Sequence, residues 1–138
     1  MREKLAEILK QFKADSGTVH LMGSDGQLYL VAAIGIPDAV LERVGVVPVG
    51  KGMAGLAAER REPVNLCNLQ TDTSGDVQPG AKATGLQGSI ALPIMMGDRV
   101  AGVLGAANQG ERTFSEDEVA RLMACASALM AEGQEPSF

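Results

Sequence analysis

An α+β domain built on one antiparallel sheet is the fold class this sequence predicts. Three observations predict it. Both ends of the chain carry helical apolar stripes, and two pairs of strand-length runs are each joined by a turn too short for a parallel crossover. No strand is followed by a full helix and a second buried strand, so the doubly wound alternation is absent.

Each element follows in order. Leu5, Ile8, Leu9 and Phe12 fall on one helical stripe, which predicts an N-terminal helix over residues 1–14. Asp15, Ser16 and Gly17 break that pattern, and Thr18 to Met22 alternates as a strand with Val19 and Leu21 on one face. Gly23-Ser24-Asp25-Gly26 is a turn, so Leu28 to Gly35 returns antiparallel beside the first strand. Pro37 and Asp38 open a short helix with Val40, Leu41 and Val44 on one side. Val46 to Val49 is short and contains Pro48, which marks an edge strand. Met53 to Arg61 reads as a short helix ending before Pro63. Asn68 to Thr84 is polar and aperiodic, the pattern of a long loop closing over a site. Ser89 to Met96 and Arg99 to Asn108 form a hairpin through Gly97-Asp98. Within it Ile90, Leu92 and Ile94 point one way, and the smaller Ser89, Ala91 and Pro93 point the other. The last element is a helix over 115–131. Ser115 and Glu118 make a capping box, Phe114 packs back on Val119, and Glu116 and Asp117 sit where the helix dipole favours anions.

Composition narrows the function classes. The 138 residues match one domain, 1–138, able to bury about two thirds of its unfolded surface. Aromatic residues make up only 3%, with no Trp, so Leu, Ile, Val and seven Met must fill the core. A net charge of −5 and the lack of a dense Lys/Arg cluster argue against nucleic acid or an anionic membrane surface as partner. The chain opens without an apolar leader, holds two cysteines, Cys67 and Cys125, and has no run of roughly 20 apolar residues. Together these lead to an expected cytoplasmic location.

Motifs with chemical potential are few. Gly50-Lys51-Gly52-Met53-Ala54-Gly55 has the spacing of a dinucleotide fingerprint, but the parallel βαβ unit that motif needs is missing. A tight strand-to-helix turn is the expected role. His20 is the single histidine and is expected to be a strand residue, so a metal cluster of several His ligands cannot be assembled. The expectation is no metal, no cofactor and no catalytic residue. Ser89 and Ala91 either leave space for a guest under the polar loop or let a helix pack closely.

The order of these segments resembles the GAF domain family over nearly the whole chain. Residues 50–57 resemble its G-x-G-x-x-G helix start, Glu62-Pro63-Val64 the strand that follows, and Ser89 to Ile94 with Val100 to Leu104 its paired central strands. Asn108 and Phe114-Ser115-Glu116-Asp117-Glu118 resemble the closing N-K…F-x-x-x-D-E element of its cyclic-nucleotide-binding members. Gln109 stands in place of that Lys, and Asp117-Glu118 lies one residue closer to Phe114, which departs from the nucleotide-binding pattern.

The resemblance implies a GAF/PAS-like, profilin-like antiparallel sheet of about six strands with helices on both faces, a ligand pocket on one face, and a homodimer through the terminal helices. The resulting expectation is a ligand-sensing signalling module. Its small-molecule site is placed among Met53, Asn65, Leu66, Cys67, Thr71, Asp72, Thr84, Ser89 and Ala91, and its output passes to a separate signalling protein. Two other readings accompany it: a dimerisation or docking domain with a vestigial pocket, and a free methionine-R-sulfoxide reductase relying on Cys67.

Overall fold

A computed structural model describes residues 1–66 and 87–131. Six strands run in the order β3-β2-β1-β6-β5-β4 in one sheet. They are β1 (Ser16–Met22), β2 (Gln27–Ile34), β3 (Val46–Pro48), β4 (Val64–Leu66), β5 (Ser89–Met96) and β6 (Arg99–Ala107). Every neighbouring pair is antiparallel. The helices are α1 (Arg2–Gln11), α2 (Asp38–Val44), α3 (Gly52–Arg60) and α4 (Glu116–Ala131).

The two hairpins, β1–β2 and β5–β6, are local products of their turns, but the centre of the sheet is not. The first strand, β1, pairs along its length with the last, β6, from Ser16 opposite Ala107 to Leu21 opposite Gly102. That pairing explains two departures from the sequence pattern. Strand β1 starts at Ser16 rather than Thr18, because β6 supplies ladder partners that the intrinsic reluctance of Ser and Gly cannot outweigh. Helix α1 stops at Gln11 rather than Ala14, because Lys13 turns the chain with a left-handed φ of 55°. The Ala14 amide then bonds the Leu9 carbonyl at 2.9 Å, closing the helix end.

Helices cover both faces. On one, α1 and α4 bury Leu5, Ile8, Leu9, Phe12, Leu122, Ala126 and Leu129 against Val19, Leu21, Ile90, Leu92, Ile94 and Leu104. On the other, Met53, Ala57 and Ala58 of α3 pack with Leu28, Val64, Ala91, Val100, Val103 and Ala107. The inward split of β5 follows its alternation, with Ile90, Leu92 and Ile94 towards the terminal helices and Ala91 towards α3.

The glycine-rich turn joins β3 to α3 as a structural device. Gly50 and Gly52 hold φ values of 92° and 68°, a region other residues avoid. A Cβ on Gly55 would stand 2.4 Å from the Pro48 carbonyl oxygen, so only glycine lets α3 start this close to β3. No parallel strand precedes this turn: β3 is a three-residue antiparallel edge. Among the described residues, no helix is long and apolar enough to cross a membrane.

Candidate functional site

Register collects small side chains from distant parts of the chain onto the α3 face. Ala33 of β2, Thr18 of β1, Gly105 of β6 and Ala91 of β5 lie directly opposite one another across four strands. The adjacent row holds Ser16, Ala107 and Ser89 on β1, β6 and β5. On these four strands nothing in either row exceeds threonine, and at the β4 edge Val64 stands opposite Ala91. One further step along β1 the residues enlarge to His20, Val103 and Pro93. The same central strands on the opposite face carry Val19, Leu104 and Leu92, buried under α1 and α4.

These rows form an undersized floor in the middle of a sheet, where large apolar residues ordinarily fill the space against a covering layer. Thr18, Ala33, Ser89 and Gly105 are half-buried despite their central strands. Ser16 is 1% exposed, and its hydroxyl has no hydrogen-bond partner among the described residues. A buried hydroxyl without a partner costs on the order of 1–3 kcal/mol, which a guest with a donor or acceptor would recover. A Cβ on Gly105 would lie 2.7 Å from Thr18 Oγ1, so the glycine keeps the middle of the floor low.

The expected site residues divide around this floor. Ser89 and Ala91 belong to it, and Met53 joins Ala91 in the cluster beneath α3. The backbone of Leu66 pairs with Ser89 at the rim. Asn65 pairs with Ile90 and therefore lies on the opposite face, where its amide nitrogen donates to the Phe114 carbonyl at 2.9 Å. Cys67, Thr71, Asp72 and Thr84 lie outside the described residues. Sequence reading missed Ser16, Thr18, Ala33, Gly105 and Ala107. A signal existed in the alternating small or polar positions of Ser16-Gly17-Thr18-Val19-His20, but only register unites them with β5 and β6.

A second constellation lies at the end of β6. Ser115 and Glu118 complete the capping box: Glu118 N–H donates to Ser115 Oγ at 3.2 Å, and Ser115 N–H donates to Glu118 Oε1 at 3.0 Å. The Ser115 amide, and after it the Arg112 guanidinium bonded to Oε2, hold the Glu118 carboxyl below its usual pKa. Arg112 also donates to the Lys13 carbonyl at 3.2 Å and to Asn108 Oδ1 at 3.0 Å, while its guanidinium stacks 4.1 Å from the Phe114 ring centre. Asn108 in turn donates to the Lys13 carbonyl at 2.8 Å. The closing element that resembled a nucleotide signature thus ties helix ends to the sheet. Among the described residues, no group of three His, Cys, Asp or Glu could hold a metal ion.

Both the strand order and these closing contacts can be set beside known proteins. The sequence matches the GAF_2 family, described as a GAF domain, over residues 1–130. The chain belongs to the GAF domain family. No curated protein matches this GAF domain. Among solved structures it is similar to the GAF domain of an Acinetobacter phosphoenolpyruvate-protein phosphotransferase, at 25% identity and TM-score 0.76, covering 92% of this chain and 75% of that one. The fold is shared by the type II free methionine-R-sulfoxide reductase of Thermoplasma acidophilum, at 19% identity and TM-score 0.78, covering 95% and 87%. It is shared too by a domain of a two-component sensor histidine kinase protein from Sinorhizobium meliloti 1021, at 17% identity and TM-score 0.74, covering 96% and 88%.

Proposed function

We propose that this GAF domain senses a small molecule held against the floor of Ser16, Thr18, Ala33, Ser89, Ala91, Gly105 and Ala107, with Met53 at its α3 side. The observation that carries the reading is the pair of cross-strand rows with no side chain larger than threonine on β1, β2, β5 and β6. Small walls leave volume, and the Ser16 hydroxyl supplies a polar anchor without a hydrogen-bond partner among the described residues. Thr71, Asp72 and Thr84, in the chain between β4 and β5, are proposed as further ligand-binding residues. The setting is a cytoplasmic signalling module. Its output runs through α1 and α4, and the exposed Ala120, Ala124 and Ala128 of α4 allow the close approach of a second copy in a homodimer or of a separate signalling protein.

A thermal-shift screen of nucleotides, amino acids and small carboxylic metabolites tests the reading. A ligand at 100 times its Kd adds about 2.7 kcal/mol of stability. The expected result is a compound that raises the melting temperature of the wild-type protein but not of Ser89→Leu, whose larger side chain fills the floor. A shift equal in both proteins, or no shift from any compound, counts against the reading and leaves a dimerisation or docking domain.

The described residues lend no support to a reductase. Cys125 packs with the α1 and α4 cluster, on the face of the sheet opposite the floor, so the sheet separates its thiol from any bound guest. Assaying reduction of free methionine-R-sulfoxide with the wild type and with Cys67→Ser decides that alternative directly, and no turnover by the wild type is expected.

A further inference from the structure

The segment from Asn108 to Phe114 is the meeting point of four parts of the molecule that are distant in sequence. Its first contact is with the strand that enters the β4–β5 connection: Asn65 of β4 donates to the Phe114 carbonyl at 2.9 Å and receives the Phe114 amide at 3.5 Å. Its second is with the residues that leave that connection. Gln87 N–H donates to the Asn108 carbonyl at 2.8 Å, Asn108 N–H to the Gly88 carbonyl at 2.8 Å, and Gly88 N–H to the Gly110 carbonyl at 3.1 Å. Gly88 is pressed so closely against Arg112 that a Cβ would meet its backbone nitrogen at 2.7 Å.

The other two contacts reach the terminal helices. The carbonyl of Lys13, just past the end of α1, accepts from both Asn108 and Arg112, and the Asp15 carboxylate accepts the Gln109 amide at 2.8 Å. At the start of α4, Arg112 grips Glu118, the residue whose other oxygen caps the helix. One planar guanidinium therefore touches the end of α1, the end of β6 and the beginning of α4, with Phe114 beneath it. Arginine suits this place because its fork presents several donors in fixed directions, which a lysine ammonium does not.

We propose that the Asn108–Phe114 segment is a mechanical junction coupling the flanks of the β4–β5 connection to the ends of both terminal helices, with Arg112 as its positioning residue. Coupling of this kind needs a contiguous chain of contacts, and here each link is a named hydrogen bond or ion pair. The junction stands apart from the ligand reading, since none of its contacts is made by a floor residue. Were a ligand bound on the floor, the junction would carry any displacement of Asn65 or Gln87 to the end of α1 and the start of α4.

Amide hydrogen exchange on the full chain tests the junction without a ligand. The proteins are the wild type, Arg112→Gln, Arg112→Lys and Glu118→Gln; the last keeps a side-chain oxygen to accept the Ser115 amide and so preserves the cap. Coupling predicts that all three variants speed exchange about tenfold at three separate places, namely Ala14 and Asp15, Gln87 and Gly88, and Ser115 to Glu118. The amides of Gly23 and Gln27, in the β1–β2 turn, should exchange at the wild-type rate. Faster exchange confined to Ser115–Glu118 would reduce Arg112 to a local cap and overturn the proposal. Equal acceleration at Gly23 and Gln27 would mean general loosening and overturn it too, as would rescue by Arg112→Lys. If Arg112→Gln fails to fold, the Glu118→Gln pattern alone decides.

Discussion

Glu118 shows how one side chain can serve two neighbours. One carboxylate oxygen closes the capping box with Ser115 while the other holds Arg112. Removing the cap acceptor with Ser115→Ala should cost about 1 kcal/mol, read as a lower denaturant midpoint with an unchanged slope. The carboxylate also sets a pH dependence. Its pKa in the folded protein lies below the ordinary 4.5, so its stabilising effect is complete above that value and drains away as pH falls through the lower folded pKa. Melting temperatures measured from pH 6 to pH 3 should therefore fall less steeply for Glu118→Gln than for the wild type. Asp25, held below its usual value first by the Tyr29 hydroxyl and then by the Gln27 amide, declines in the same sense. Its position in an exposed turn makes that effect small.

Elements differ in how much of themselves they carry in local sequence. Helix α4 declares its own start through Ser115 and Glu118, and its stripe buries Leu122 completely, so Leu122→Ala should cost about 2–5 kcal/mol in chemical denaturation. The β5–β6 hairpin is equally legible, because Gly97 takes the positive φ of 65° that its turn demands. The β3–α3 turn was readable as a turn rather than a cofactor loop, and Gly52→Ala there should destabilise by about 1–2 kcal/mol through its positive φ. Other features depend on partners far away in the chain. The start of β1 at Ser16 exists because β6 pairs with it, and the end of α1 is fixed by Lys13 and by the groups that bind its carbonyl. The face occupied by Asn65 follows from the register of a three-residue strand, and so short a strand has no alternation from which to read it.

At the scale of the whole molecule, the sheet separates two different interiors. The side under α1 and α4 is built from Leu, Ile, Val and Phe, and it contributes most of the apolar packing. The side under α3 is built around alanine, glycine, serine and threonine at the centre, with larger residues towards the Met22 end and Val64 at the β4 edge. The small character of Ser89 and Ala91 was visible in β5 alone. The rest of the floor was not, because Ser16, Thr18, Ala33, Gly105 and Ala107 come from three other strands and share a surface only through pairing. The same fold in a sensor kinase protein and in a sulfoxide reductase shows that architecture leaves the chemistry open. The central claim is that the floor receives a guest, and methyl NMR of the alanine-labelled protein titrated with the screened metabolites tests it most directly. The account predicts shifts concentrated in the methyl signals of Ala33, Ala91 and Ala107, saturating with ligand and lost in Ser89→Leu. Signals that stay still there, or shift instead at Ala120, Ala124 and Ala128 on the outside of α4, would contradict it.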